Sequence, residues 1–253
     1  MTWSRKVATA AVVATAAVAV AHAGPAVAAI GPLRRRLMPA IAGIGDPRHV
    51  ALTFDDGPHP EATPQLLRLL GSAGVRATFF LLGRVLEEHP DIGRAILAGG
   101  HEIGVHGYEH RLLVARGPHA TVEDLTRATA VIADLTGAAP RWWRPPYGVA
   151  STVAVVTARR LGLTPVLWTC WGRDWTRSAT ADSVHRSVLR KLAGGGTILL
   201  HDSDHAAAPR CWESTLAALP GILTVCRVRG LQVGPLGEHF TARRLTGRDQ
   251  SSC

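Results

Sequence analysis

Five short stretches of this 253-residue chain hold side chains that could trade protons or bind a metal. The first is Asp55-Asp56-Gly57-Pro58. Adjacent carboxylates, if buried, resist joint ionisation, and a bound cation removes that penalty. Asp-Gly and Gly-Pro are also ordinary dipeptides of solvated turns. The second stretch holds His106 and His110. On a helical turn that spacing points both imidazoles the same way, as a metal needs. Among twelve histidines a chance surface pair is the alternative. The third and fourth are Trp143-Arg144-Pro145-Pro146-Tyr147-Gly148 and Trp171-Gly172-Arg173-Asp174-Trp175. The fifth is His201-Asp202, directly after the apolar Ile198-Leu199-Leu200.

Each stretch follows a run that reads as a short buried strand. Such runs lie at 49–54, 77–82, 102–105, 142–144, 164–170, 197–200 and 231–233. Helical periodicity separates them at 64–73, 121–136, 150–161, 180–193 and 213–229, the second of these stopping at Gly137. Alternation of this kind calls for parallel strands joined by right-handed crossovers. A closed or nearly closed β/α barrel fits best, and a doubly wound open sheet is the other solution. Random polar turns would fall at both ends of the strands. Five polar clusters at five strand exits match the way a β/α barrel builds its site.

The length suits a single α/β domain, and 47% hydrophobic against 19% charged residues supplies an ample core. The net charge of +9 remains strongly basic without Arg5 and Lys6. It reads either as a solvated basic surface or as attraction to an anionic surface such as a cell wall. No basic stripe interleaved with aromatics occurs, so nucleic acid is not expected. Arg5 and Lys6 precede an Ala/Val-rich run, then Ala21-His22-Ala23 and Ala26-Val27-Ala28 offer small-residue cleavage patterns. This describes a secretory signal over 1–28 and a secreted or cell-wall-associated protein. A membrane association is expected only if that segment stays uncleaved. Cys170, Cys211, Cys226 and Cys253 form no C-x-x-C motif. Cys211 and Cys226 flank one helical segment and could pair; the alternative is that all four are small apolar fillers.

Taken together and in order, Thr53-Phe54-Asp55-Asp56-Gly57-Pro58, His106-x-x-x-His110, Arg144-Pro145-Pro146-Tyr147, Asp174-Trp175 and Leu199-x-His201 resemble the five motifs of the polysaccharide deacetylases, the fourth carbohydrate-esterase family. The resemblance runs from about Val50 to His201. It implies a distorted β/α barrel of about seven parallel strands and a divalent ion, zinc or sometimes cobalt. The chain then divides into a signal (1–28), a short linker (29–47), a deacetylase domain (48–237) and a tail (238–253), expected as a monomer. By the same resemblance Asp56, His106 and His110 hold the metal, and Asp55, oriented by Arg144, is the general base. The Tyr147 N–H donates to the oxyanion, and His201, backed by Asp174, is the general acid. Pro146, Tyr147, Trp175 and Leu199 are expected to contact the substrate, with Trp175 and Leu199 walling the acetyl methyl.

Two positions depart from the family pattern. Gly107 stands where Ser or Thr usually steadies the metal loop, which implies altered loop rigidity without loss of metal. Trp171 stands where a further Asp is common; it reads either as a sugar-stacking face or as a core tryptophan. The expected activity is removal of N-acetyl groups from peptidoglycan or a chitin-like glycan. The alternatives are an O-acetyl esterase on xylan or a related glycan, and a catalytically weak glycan-binding protein.

Overall fold

The structure, a computed structural model, describes residues 17, 19–38 and 41–240. Most of the expected signal and most of the expected tail lie outside the described residues. Strand β1 (His49–Gly57) is buried along its whole length, as is β2 (Thr78–Leu82). Strands covered on both faces read as continuous apolar runs rather than alternations, which is why these segments are so apolar. Then come β3 (Glu102–Gly107), β4 (Trp142–Trp143), β5 (Thr164–Pro165), β6 (Cys170–Trp171), β7 (Thr197–His201) and β8 (Gln232–Gly234). The helices are α1 (Gly31–Leu37), α2 (Ala62–Ala73), α3 (Gly83–Glu88), α4 (Pro90–Ala98), α5 (Pro118–Thr136), α6 (Thr152–Arg160), α7 (Ala181–Leu189) and α8 (Trp212–Val228).

All strand pairs are parallel, in the order β5-β4-β3-β2-β1-β7-β6. The short β8 joins β1 at His49–Ala51, on the side that β2 takes further along. Seven strands about 4.8 Å apart would span roughly 29 Å if flat. The two edge strands are consecutive in sequence, and the path from Pro165 to Cys170 reaches at most about 18 Å. The sheet therefore curls into an incomplete barrel, as the sequence leads one to expect; a doubly wound sheet is not formed. Its core is apolar and continuous, with Phe54 and Phe79 stacked at 5.0 Å among Leu52, Leu66, Leu70 and Val105.

Three expectations need correcting. The run 164–170 is not one strand: Thr164 pairs with β4, Cys170 pairs with β7, and the residues between cross the seam. No helix is expected between 83 and 98, yet α3 and α4 lie there. Each is under three turns and Pro90 interrupts the pattern, so neither shows a periodicity. Finally, Cys211 and Cys226 do not pair; with Cys170 they are free buried thiols. Cys211 precedes α8 and Cys226 lies near its far end. At 1.5 Å per residue that separates them by roughly 22 Å, far beyond the reach of a disulfide.

Residues 24–37 pack onto the seam. Gly24–Ala29 forms a 3-10 turn, and Arg34 of α1 is buried with its guanidinium donating to the carbonyls of Ala28 and Trp168. Burial and the nearby Arg144 push the Arg34 pKa down to about 10. Among the described residues no helix is long and apolar enough to cross a membrane.

Candidate active site

The polar residues collect at the strand exits. Consecutive side chains of a regular strand point to opposite faces. β1 breaks that rule at Asp56, where φ is +75° and the register to β2 slips between Asp55 and Gly57. The slip turns both carboxylates into one cavity. Gly57 is needed at this turn because a Cβ there would lie 2.3 Å from the Asp202 carboxylate. Thr63 donates to Asp202 at 2.6 Å, and burial pushes the Asp202 pKa up to about 7.

His106 is the penultimate residue of β3, and its Nδ1–H donates to the Arg144 carbonyl at 2.8 Å. A carbonyl accepts only from a protonated nitrogen, so in the neutral imidazole the Nε2 lone pair faces the cavity. His110 arrives differently from the sequence expectation, since 106–110 is not a helical turn. The chain leaves β3 through Gly107, whose φ of +114° few residues other than glycine adopt. Asp124 of α5 then holds the loop: its carboxylate accepts from Tyr108 N–H at 3.0 Å, Glu109 N–H at 3.3 Å and Arg116 at 2.8 Å.

Nε2 of His106 and of His110 lie 3.2 and 3.4 Å from Asp56 Oδ1. The three ligand atoms form a group within 4.8 Å that could hold a metal. A tetrahedral site with bonds of about 2.0–2.1 Å has edges of about 3.3–3.4 Å, so these atoms are spaced as ligands of one small ion. Asp56 Oδ1 is buried and has no hydrogen-bond partner among the described residues, as an atom kept for a cation would be. Burial raises the Asp56 pKa, but the His106, His201 and His110 imidazoles outweigh it and hold the carboxyl below its usual range. Burial, with His106 beside it, pushes His110 down to about 4 and so keeps it neutral. The residues fit a divalent ion.

Asp55 faces Arg144, which follows β4 and is fully buried. Arg144 Nη1 donates to Asp55 Oδ1 at 2.7 Å and to Thr53 Oγ1 at 2.8 Å. Burial lowers the Arg144 pKa and Asp55 partly restores it. Across the β1–β7 ladder Asp55 lies opposite His201. His201 Nδ1 bonds to Asp174 Oδ1 at 2.9 Å, while Asp174 Oδ2 accepts from His201 N–H at 2.7 Å and Thr215 at 2.6 Å. Burial lowers the His201 pKa, but Asp174 overcomes it and raises it to about 10.

The cavity is lined by Asp55, Asp56, His106, His110, His201, Leu199, Tyr147 and Gly148, with Trp168, Trp171, Trp175 and Ala206 completing the wall. Its volume of about 210 Å³ is below the roughly 300–1,000 Å³ of sites that bury a whole small molecule. It suits one substituent of a larger ligand. Pro146 is buried beside Gly107 and does not line it. Every other expected site residue lines the cavity or braces a residue that does. The sequence reading missed Asp124, Thr215 and Trp168. Asp124 was visible as an acid on the buried face of α5, in line with Thr121, Ala128 and Ile132.

Known proteins are similar to this chain in sequence and fold. The polysaccharide deacetylase family model matches residues 42–166. A chitooligosaccharide deacetylase from Bradyrhizobium is 36% identical over 197 residues, covering 75% of this chain and 89% of the relative. A peptidoglycan-N-acetylglucosamine deacetylase of Listeria monocytogenes is 29% identical over 79% of this chain, which spans 41% of that longer protein. A family 4 carbohydrate esterase from Streptomyces lividans, solved with acetate, superposes with a TM-score of 0.67 at 32% identity, covering 75% of this chain and 93% of that one. The chain belongs to the polysaccharide deacetylase family.

Proposed function

We propose that this protein is an exported, metal-dependent N-deacetylase of peptidoglycan or a chitin-like glycan. The observation that carries the reading is the joint placement, in one small cavity, of an Asp/His/His ligand set, an Arg-held carboxylate and an Asp-held imidazole. Asp56, His106 and His110 would hold the ion, zinc or cobalt, which supplies Lewis acidity toward the acetamide carbonyl and acidifies water. Asp55, fixed by Arg144, takes the proton from the attacking water. Pro145 and Pro146 have no N–H, so the first backbone donor after Arg144 is that of Tyr147, which would stabilise the oxyanion. Tyr147 is set at φ +59°, with its ring edge-on to His110 at 4.4 Å. His201 Nε2 passes its proton to the departing amine while Asp174 keeps the imidazolium aimed. Leu199 and Trp175, both in the cavity wall, would enclose the acetyl methyl. Retention of every one of these groups supports an enzyme over a bare glycan-binding module.

The experiment is acetate release by the purified protein across N- and O-acetylated glycans, with and without chelator. N-acetyl release lost with chelator and restored by zinc or cobalt is the expected result. Full turnover in a metal-stripped sample, or O-acetyl release alone, overturns the reading. Asp56→Ala, His106→Ala and His110→Ala should each lower bound metal, whereas Asp55→Ala should keep metal and lose turnover.

A further inference from the structure

Trp171, half-buried, lines two cavities. One is the active-site cavity; the other is an open cleft of about 540 Å³ lined by Trp171, Arg173, Ser187, Arg190 and Lys191. The lining of this second cleft is three-fifths cationic and contains no acid. Among the described residues Arg173, Arg190 and Lys191 make no ion pair, so no acid of the protein neutralises the cleft. Three unneutralised cations around one concavity repel one another, and an anion bound there relieves that repulsion.

The cleft is also built rather than incidental. Ser187 Oγ donates to the Trp171 carbonyl at 3.0 Å, and Trp171 pairs with Leu199 across β6 and β7. Arg173 holds a left-handed φ of +56°, costly for a side-chain-bearing residue, and its guanidinium lies 5.8 Å from the Trp171 ring. Trp171 stacks on Trp168 at 5.8 Å and contacts Trp175 at 5.0 Å, which in turn meets His201 at 5.5 Å. A row of aromatic faces thus leads from the catalytic imidazole to the cationic cleft, a route suited to the flat C–H faces of neighbouring sugars.

We propose that this cleft binds an anionic substituent, carboxylate or phosphate, carried by the glycan strand on a sugar adjoining the one being deacetylated. The proposal rests on reading the cavity as a glycan N-deacetylase site. It gives the protein a preference for acidic strands over neutral ones of the same length.

The test compares three tetrasaccharides: neutral chitotetraose, a peptidoglycan tetrasaccharide bearing stem-peptide carboxylates, and an N-acetylglucosamine tetrasaccharide bearing a phosphomonoester. The variant is Arg173→Ala/Arg190→Ala/Lys191→Ala. Wild-type protein should favour one or both acidic strands through KM, and which one identifies the anion. The triple variant should raise KM for that strand about tenfold, as three exposed ion pairs would, with kcat and the neutral substrate unchanged. Salt at about 0.5 M should erase the preference. An acidic-to-neutral ratio equal in wild type and variant overturns the proposal. Calorimetric binding of the same oligosaccharides separates it from the deacetylase reading. Acidic strands that bind wild type, and bind the variant about tenfold more weakly, uphold the cleft even if no acetate is released. Equal binding to both proteins overturns it.

Discussion

At the scale of single residues the His201–Asp174 pair sets how the protein should respond to pH. A general acid works only while protonated, so turnover falls as pH rises through its pKa. Asp174 raises the His201 value to about 10 against the burial that lowers it; a divalent ion would pull it back, since His201 Nε2 is 4.0 Å from Asp56 Oδ2. Asp174→Asn removes the largest raising influence. The alkaline limb of the pH–rate profile should therefore move to lower pH, by roughly one unit or more, with bound metal unchanged. His201→Ala should cost roughly two to four orders of magnitude on an N-acetyl substrate and far less on an activated acetate ester, whose leaving group departs unaided. Equal losses on both would remove His201 from the acid role. The residues proposed for this chemistry were legible in the sequence because they cluster at strand exits. The bracing side chains were harder to find: Thr215 is a polar residue within a helix, and Asp124, although in line with the buried positions of α5, sits next to Glu123 and so reads as part of a solvated face.

Among the elements, the loop between β3 and α5 shows where local pattern misleads. The spacing of His106 and His110 suggests a helical turn, but the imidazoles converge because a strand ends, a glycine turns and a buried acid on the next helix gathers the loop amides. The spacing points to two imidazoles that the structure does bring together, but through a different backbone. Asp124 here supplies the bracing expected of a hydroxyl at position 107. A Cβ at 107 would sit 3.0 Å from Asp124 Oδ2 and 3.1 Å from the Glu109 carbonyl, at a φ of +114°. Gly107→Ser should therefore destabilise the protein by about 1–3 kcal/mol in chemical denaturation. Asp124→Ala, which leaves the Tyr108 and Glu109 amides without their acceptor, should weaken binding of cobalt measured by titration, while Asp124→Asn recovers part of it. Unchanged cobalt affinity in Asp124→Ala would show that the loop holds itself. The split of 164–170 into two edge strands was equally hidden, because apolar composition does not reveal which neighbour a strand will find.

For the whole molecule, the barrel layout followed from alternation and was readable; the curl and its seam depend on which strands meet, and were not. Three thiols report on the integrity of that layout. Cys170, Cys211 and Cys226 are buried and free, and burial pushes the first two thiols up to about 12. They should resist a thiol reagent in the native protein and react once it is unfolded. Rapid native labelling would show that the helices over the sheet open readily. β1 has a further consequence for the order of events in time. Its β2 side leads on through β3 to β4, so the proposed metal ligands and the groups that brace them, Asp124 and the Arg144 carbonyl, all lie within the span from Asp56 to Arg144. Its other side takes β7, where Thr53 reaches Ile198, 145 residues away, before His201 can stand opposite Asp55. Long parallel closures are slow. A refolding chain would then assemble the proposed ligand set while still lacking the imidazole opposite Asp55, and pass through a stage able to bind a metal yet catalytically silent.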